Sequence, residues 1–308
     1  MNKYLLSIMG AYTDHFYESD TYPSEGDFSH ARFKGIYPGG CPLNVAAVCA
    51  SKGTKVYALD MLGKDEETSS FLISEMEKFN IDTSRIQLKE GVRNGDVIII
   101  LTGNNRTMYV VDPIRPYYEI DEKMEELLNS ASYIYSLMHM INRSFRNIDP
   151  LLAAKRNGAR IVLDGSSKYD DPSRVKILYD LADGLFINQT DYQRLKENSP
   201  KEPKEIIFEN GGEFICITKG SEGSLLYLKE REIFMPSLSG VEVIDSTGAG
   251  DAFAGCFLAC LIEGMSYEKA LNYATVNGAY CCTRFSGSGG IASFETLRQF
   301  ALEHGHEL

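Results

Sequence analysis

Short apolar runs alternate with helical stretches along most of the chain, and this rhythm is the main signal for its fold. Residues 160–164, 184–188 and 213–218 are rich in β-branched and other apolar side chains. Each run predicts a buried strand, and the segments between the runs fit helices. Buried strands that alternate with helices favour a mostly parallel sheet that is covered on both faces. The pattern therefore predicts an α/β fold, with a mostly parallel central sheet and helices on both faces.

Two regions interrupt this rhythm. Residues 11–38 are rich in Tyr, Asp, Ser and Gly, and residues 93–112 have the pattern of a hairpin, with strands at 97–101 and 107–111. Both regions fit a small β-sheet lid, formed by about 11–38 and 93–118, that projects from a single domain spanning residues 1–308. Because such an open sheet exposes an apolar face and edge strands, we expect it either to cover a ligand or to pair with a second subunit in a homodimer.

Composition and charge exclude several classes of protein. The 308 residues carry a formal net charge of -12, which argues against binding to nucleic acid or to an anionic membrane, since both favour basic patches. The seven cysteines form no Cys-x-x-Cys pair, as expected in a reducing compartment. The apolar run at the N-terminus is too short for a signal peptide, and the longest apolar run, at 252–262, is too short to span a bilayer. A cytoplasmic enzyme is the expectation.

The strongest chemical signal lies at residues 245–255, Asp-Ser-Thr-Gly-Ala-Gly-Asp-Ala-Phe-Ala-Gly. Its glycines, Gly248 and Gly250, precede an uncharged stretch that predicts a buried helix. The free amides and the dipole at the start of such a helix make an anion site from Gly248, Ala249 and Gly250. A carboxylate is unusual there, so Asp251 is either a helix cap or a base held beside the bound anion.

These residues resemble the second signature of the ribokinase-like (PfkB-type) carbohydrate kinases, with Ser246 in place of a Thr. Residues 39–46, Gly-Gly-Cys-Pro-Leu-Asn-Val-Ala, are similar to the family's Gly-Gly-x-Pro-x-Asn-Val-Ala substrate motif. The resemblance implies a ribokinase-like fold and transfer of the γ-phosphoryl group of ATP, with Mg²⁺, to a sugar hydroxyl. Asp251 would then be the base that takes the proton from that hydroxyl, and the three amides would stabilise the transition state.

Other positions match the family's acceptor site one by one. Asp14 corresponds to a carboxylate that accepts hydrogen bonds from sugar hydroxyls. The backbone at Gly39 and Gly40 would approach the sugar closely, and Asn44 would bind a diol or else cap its helix. Two further candidates complete the acceptor site: Asp164, at the end of a predicted strand, and Arg106, at the hairpin tip, which either swings toward the acceptor or its new phosphate or stays solvated.

The resemblance also implies a nucleotide site and two cation sites. Asn188 with Asp191 would hold Mg²⁺ through water, or simply cap the next helix. A K⁺ ion would bind the backbone carbonyls near Asp245 and Thr247 and those of residues 287–289. The residues expected to border the nucleotide are Asn188, Thr218, Gly220, Gly223, Thr275 and Asn277.

Two positions indicate which class of acceptor the chain would bind. Pro42, two residues before the motif's Asn, is most similar to fructokinases and related hexose or keto-sugar kinases. Lys168 stands where fructokinases usually have Arg. This difference suggests a modified sugar as the acceptor, as in kinases of the fructosamine type. The expected reaction is phosphorylation of a primary hydroxyl on a hexose or keto-sugar derivative. A nucleoside kinase of the same family, and a sugar sensor without catalysis, are the alternatives.

Overall fold

The structure is a computed structural model that describes residues 3–103, 105–165, 169, 171–284 and 289–308. Three segments used above contain residues outside the described part of the chain. These residues are Asn104 in the hairpin turn, Lys168 with its neighbours 166 and 167, and residues 287 and 288 of the predicted cation loop.

The described residues form fifteen strands and eleven α-helices. The strands are β1 (Tyr4–Ile8), β2 (Tyr12–Ser19), β3 (Ala31–Gly39), β4 (Lys55–Leu59), β5 (Met61–Gly63), β6 (Ile81–Asp82), β7 (Gln87–Lys89), β8 (Gly95–Thr102), β9 (Asn105–Val111), β10 (Tyr133–Leu137), β11 (Arg160–Asp164), β12 (Gly184–Asn188), β13 (Phe214–Thr218), β14 (Ser224–Leu228) and β15 (Glu232–Met235). The helices are α1 (Cys41–Ala50), α2 (Glu67–Lys78), α3 (Glu122–Ser130), α4 (Met138–Ser144), α5 (Asp149–Arg156), α6 (Pro172–Leu181), α7 (Gln189–Glu197), α8 (Pro203–Glu209), α9 (Ala249–Ile262), α10 (Tyr267–Cys282) and α11 (Phe294–Glu303).

Nine of the described strands form the central sheet, in the order β15-β14-β13-β12-β11-β10-β1-β4-β6. The pairs from β6 to β13 are parallel, and β14 and β15 are added antiparallel. Strands such as β1 and β10 are buried along their whole length, as expected for a parallel sheet with helices on both faces. The predicted α/β fold is confirmed, and two of the three predicted strands have the observed bounds, while β13 begins one residue later.

The sheet changes winding direction between β1 and β10. From β1 the chain adds β4 and β6 on one side, and from β10 it adds β11, β12 and β13 on the other. At such a switch point the connections leave in opposite directions and open a crevice at the carboxyl ends of the strands, where ligands bind. The polar positions Asp164, Asn188 and Thr218 end three of these strands and therefore lie along this edge.

A separate four-stranded sheet, here called the small sheet, has the order β3-β2-β8-β9. Its central pair, β2 and β8, is parallel, and both outer pairs are antiparallel. The predicted hairpin is present, but both strands are longer than predicted. Strand β8 exceeds the predicted 97–101 by three residues, and β9 exceeds the predicted 107–111 by two. A further two-stranded pair, β5 with β7, was not predicted.

Helix α9 lies in the core, packed between α1 and α10. Ten of its fourteen residues are buried, which accounts for the uncharged stretch in the sequence. Gly255 permits the close approach to α1, because a Cβ there would lie 2.6 Å from the Val45 carbonyl oxygen and 2.9 Å from the Val48 Cβ. No helix in the described part of the chain is long and apolar enough to cross a membrane.

Gly255→Ala should therefore destabilise the protein. Alanine in a helix interior normally adds about 0.5–1 kcal/mol of stability over glycine. Here we expect urea denaturation to show a free energy of unfolding lower by about 1–3 kcal/mol, the cost of overpacking a core.

Gly278→Ala, on the neighbouring helix α10, is the matched control. Its Cβ would lie 3.4 Å from the Ala249 carbonyl oxygen and 3.8 Å from the Phe253 Cβ, so stability should be unchanged or slightly increased. Equal effects of the two substitutions would show that the α1–α9 approach does not limit stability.

Candidate active site

The loop before α9 is organised around Asp245. Its carboxylate accepts hydrogen bonds from the backbone amide and the hydroxyl of Thr247, at 2.9 and 2.6 Å. Gly248 then takes the left-handed conformation, φ 75°, at the N-cap position, and the first intrahelical bond runs from the Ala252 amide to the Gly248 carbonyl. This conformation favours glycine and directs the amides at the start of α9 toward one point, as an anion site requires.

Asp251 lies in the first turn of α9 but does not cap it. Its Oδ2 accepts a 2.8 Å hydrogen bond from the Asn44 Nδ2 on α1. The Cys41 thiol, also on α1, is a second hydrogen-bond donor to the same carboxylate. The capping explanation is therefore wrong, and so is the idea that Asn44 caps its own helix, since the N-cap of α1 is Gly40. Burial raises the pKa of Asp251 to about 6, and the two hydrogen bonds oppose that shift.

A cavity of about 590 Å³ lies between the small sheet and the start of α9. Its wall includes Asp14, Gly40, Asn44, Arg106 and Asp251 from the sequence prediction, together with Gly248 and Gly250. We call it the acceptor cavity. Asp164 is not among its described lining residues. The Asp164 carboxylate accepts a 3.4 Å hydrogen bond from the Tyr135 hydroxyl below the cavity, so its assignment to the acceptor is not supported by this geometry.

Asp14 projects into the acceptor cavity from β2. Burial raises the pKa of its carboxyl group to about 7. The carboxylate lies directly over Gly39, where a Cβ would come within 2.2 Å of it, and this explains the glycine. At Gly40, φ is 104°, and a Cβ would lie 2.6 Å from the Gly10 carbonyl oxygen. The two glycines thus bring the chain close to the cavity without filling it.

Arg106 joins the small sheet to the anion loop. Its guanidinium donates a hydrogen bond to the Thr247 hydroxyl, across the mouth of the acceptor cavity. The residue belongs to β9 rather than to the turn, and its side chain is exposed as well as bonded to Thr247. The contact places a cation next to the amides at the start of α9.

A second cavity, of about 580 Å³, lies on the other side of the anion loop. Five of the predicted nucleotide residues line it: Asn188, Thr218, Gly220, Gly223 and Thr275. Gly223 has φ 117°, and a Cβ there would lie 2.1 Å from the Met235 carbonyl oxygen, so the turn requires glycine. Gly250 lines both cavities, which therefore meet at the start of α9. The apolar lining was not predicted: Leu238, Val241, Val243, Phe253 and Ala279.

Asn277 is the clearest correction to the predicted site. The residue is fully buried, and its Nδ2 donates to the carbonyls of Ala252 and Gly290 at 3.0 and 3.1 Å. Its Oδ1 accepts from the buried ammonium of Lys52 at 3.1 Å. It is not among the described residues that line the second cavity, and its amide is occupied, so it serves to join α10 to α9. Sequence reasoning missed Lys52 because nothing local distinguishes it from a surface lysine.

Asn188 and Asp191 form a helix cap. Asn188 is the N-cap of α7 and accepts from the Asp191 amide at 2.8 Å, while its Nδ2 donates to the Asp191 carboxylate at 2.6 Å. Arg194 also lies 3.1 Å from that carboxylate. The capping alternative is confirmed. Because Asp191 is already neutralised by Arg194, the residues fit a magnesium ion held through water better than one bound directly. The described residues contain no group of three metal-binding side chains.

The region predicted to hold K⁺ is partly occupied by hydrogen bonds. Besides the Asp245 contacts, the Thr247 carbonyl accepts from the Cys281 thiol at 3.5 Å. The amides of Ile244 and Asp245 both donate to the Cys282 carbonyl, at 2.8 and 3.2 Å. The C-terminal end of α10 therefore fixes the anion loop.

Comparison with known proteins agrees with this geometry. The model of the pfkB family carbohydrate kinases matches residues 11–293. A 5-dehydro-2-deoxygluconokinase of Clostridium beijerinckii is 25% identical, over 88% of this chain and 86% of that protein. The structure of Arabidopsis thaliana ribokinase complexed with ribose and ATP superposes with a TM-score of 0.82 at 21% identity, over 97% of this chain and 99% of the other. Fructokinase with bound ATP from Xylella fastidiosa gives 0.84 at 17% identity, over 99% and 100%.

The two raised carboxyl pKa values predict the pH dependence of catalysis. Asp251 must be ionised to accept a proton, and Asp14 accepts hydrogen bonds from hydroxyls most strongly when it is ionised. We therefore expect kcat/KM for the acceptor to fall as the pH drops through about 7, where Asp14 is protonated, and again through about 6, where Asp251 is protonated. Asp14→Asn should remove the higher inflection and retain the lower one. The measurement is kcat/KM between about pH 5 and 9 for both proteins. Profiles of identical shape would show that protonation of Asp14 does not control acceptor binding.

Proposed function

This chain belongs to the PfkB family of carbohydrate kinases, and from that membership we propose that it transfers the γ-phosphoryl group of ATP to a primary hydroxyl of a hexose or keto-sugar derivative. The observation that carries the proposal is the meeting of two cavities at Gly250, with Asp251 on the acceptor side. We treat residues 1–308 as one kinase domain, with the small sheet as its lid over the acceptor.

Each step of the proposed reaction uses a group whose position is described above. The acceptor hydroxyl lies against Asp251, which takes its proton as the oxygen bonds to the γ-phosphorus and the bond to the β-phosphate oxygen breaks. Amides at Gly248, Ala249 and Gly250 stabilise the charge on the transferred group, and the Arg106 cation lies beside them. Asn44 fixes the base in position through its 2.8 Å hydrogen bond.

Two cations complete the proposal. When bound, Mg²⁺ neutralises charge on the phosphates, and Asn188 with Asp191 would hold its water shell. The backbone carbonyls near Asp245 and Thr247 would hold K⁺, whose positive charge would add to the attraction of the anion loop for phosphate.

Sequence features support the choice of acceptor. Pro42 is a feature of fructokinases, and Lys168 suggests a kinase of the fructosamine type. The relatives reported above include kinases named for different sugars, so similarity alone does not single out one acceptor. A nucleoside acceptor remains the alternative within the family. A non-catalytic sensor is not proposed, since the base and the anion loop are both present.

We also propose a homodimer that forms through the outer face of the small sheet. Exposed apolar side chains cover this face, notably Phe33, Ile36, Ile98 and Tyr109. Pairing shows that Ile36, His15, Ile98 and Tyr109 form one row across the four strands. A second copy would remove this apolar surface from water. Free cysteines and the use of ATP support a cytoplasmic location.

An acceptor panel tests the proposed function directly. Purified protein with ATP and Mg²⁺ should phosphorylate at least one hexose, keto sugar or fructosamine, measured as ADP formation and as a sugar phosphate by mass spectrometry. If nucleosides are phosphorylated at least about a hundredfold more efficiently, by kcat/KM, than all of those sugars, the proposal is replaced by the nucleoside alternative.

Asp251→Asn is the control for the chemistry. It should retain the fold and ATP affinity while kcat falls by about 10² or more, because a positioned general base is lost. Turnover within a few-fold of wild type would remove Asp251 from the proton-transfer step.

Ile98→Lys should convert the proposed dimer into a monomer, because it places a charge at the centre of the apolar row. Sedimentation velocity measures the change. Leu302→Lys, at an exposed position of α11 away from the small sheet, is the matched control and should leave the dimer intact. A wild-type protein that sediments as a monomer at all concentrations would contradict the proposed interface.

A further inference from the structure

The inner face of the small sheet is more apolar than a simple sugar requires. Strand pairing places Phe16 beside Ile99, and Ile99 beside Met108, in one row across β2, β8 and β9. The next row, nearer the core, contains Asp14, Val97 and Val110, with Tyr37 beside Asp14 on β3. All of these side chains except Asp14 present hydrocarbon or ring surface, and all of them line the acceptor cavity.

Part of this surface is open to solvent. Met108 and Val110 are 52% and 59% exposed although they line a cavity, and Tyr37 is 42% exposed. The Tyr37 ring is held in place edge-on against Phe16, with ring centroids 5.4 Å apart. Gly35 makes room for it, because a Cβ there would lie 3.0 Å from the ring. An exposed apolar wall in a concave site is typical of a surface that a ligand covers.

The hydroxyl-binding groups lie apart from most of the apolar wall. Asp251 and Asn44 lie at the α1–α9 end of the cavity, and Asp14 lies one row nearer the core than the Phe16–Ile99–Met108 row. Arg106 also lines the cavity, one row beyond Met108 on β9, where its guanidinium donates to the Thr247 hydroxyl. A ligand that matches this distribution has a hydroxylated part near Asp251 and a hydrocarbon part beneath the small sheet.

Size leads to the same conclusion. A hexose has a volume of roughly 200 Å³, the space taken by about seven liquid waters. The cavity volume is about 590 Å³. Thr247, Gly248 and Gly250 also line this cavity, so part of its volume belongs to the transferred phosphoryl group. An unsubstituted hexose would still leave part of the apolar wall in contact with water, which forgoes the burial that stabilises most ligand complexes.

We propose that the acceptor is a conjugated sugar, in which the phosphorylated sugar carries an apolar substituent that packs on Phe16, Ile99, Met108 and Val110. This inference rests on the proposed function and narrows its substrate class. In a keto sugar substituted at C1, the primary hydroxyl at the other end of the chain remains free to reach Asp251.

The wild-type enzyme tests this with substrates that differ only in the substituent. One series is fructose and its 1-amino-1-deoxy conjugates with glycine, leucine and phenylalanine. The other is the methyl and phenyl glycosides of glucose. In at least one series, kcat/KM should rise by about tenfold or more from the small to the apolar substituent, as expected for burial of several methylene groups.

A pair of adjacent variants locates the effect. Val110 faces the cavity and Val111 faces outward on the same strand, and Val→Thr retains the side-chain shape while replacing one methyl group with a hydroxyl. The double substitution Met108→Gln with Val110→Thr should reduce the preference for the apolar conjugate by about fivefold or more. Val111→Thr should leave that preference unchanged. Thermal melting verifies that both variants are folded.

The outcomes separate this inference from the function on which it rests. If an unsubstituted sugar is phosphorylated and no apolar conjugate is better by tenfold, the inference is overturned and the sugar kinase activity stands. An apolar preference that survives the double substitution would also overturn it, because the substituent would then lie elsewhere. If neither the acceptor panel nor either series contains a sugar that is phosphorylated, the proposed function fails as well.

Discussion

The close approach of α1 and α9 is the constraint on which the active site depends. Gly255 lets the two helices pack with their backbones nearly in contact, since a single methyl group there would meet the Val45 carbonyl. At the N-terminal ends of the same helices, this approach brings Asn44 within 2.8 Å of Asp251. Two residues far apart in sequence thereby form one unit. The proposed base, Asp251, is therefore held by a neighbouring helix rather than by its own.

This arrangement separates two tasks that compete at a helix start. The amides of α9 attract negative charge, and a carboxylate that capped the helix would occupy them itself. Because Gly248 takes the N-cap position and Asn44 binds the carboxylate, Asp251 leaves the amides free for the proposed phosphoryl group. Burial then raises the pKa of Asp251 toward neutrality, where a base has both the ionised form and the proton affinity that it needs.

The sequence pattern predicted the features that depend on residues adjacent in the chain. The strands at 160–164 and 184–188, the glycine turns and the anion loop each follow from residues that are adjacent in sequence. Asn277 was assigned wrongly because its partners, Lys52 and the Ala252 and Gly290 carbonyls, come from three other parts of the chain. Asp164 and Asn44 show the same limitation: their residue types indicated polar contacts, but only the tertiary packing selected Tyr135 and Asp251 as the partners. The parallel β2–β8 pair has no short-range signature at all.

That parallel pair has a consequence for how specificity diversifies in such an enzyme. Strands β2 and β8 are the central pair of the small sheet, yet helices α1 and α2 and four strands of the other sheets separate them in sequence. Neither strand can form its half of the acceptor wall without the other, because each supplies the other's backbone hydrogen bonds. The small sheet therefore cannot be transferred between proteins as one continuous segment. Recombination that exchanges only one of its two segments would bring together strands selected in different backgrounds, so new acceptor pockets would arise more readily by point substitution on the inner face.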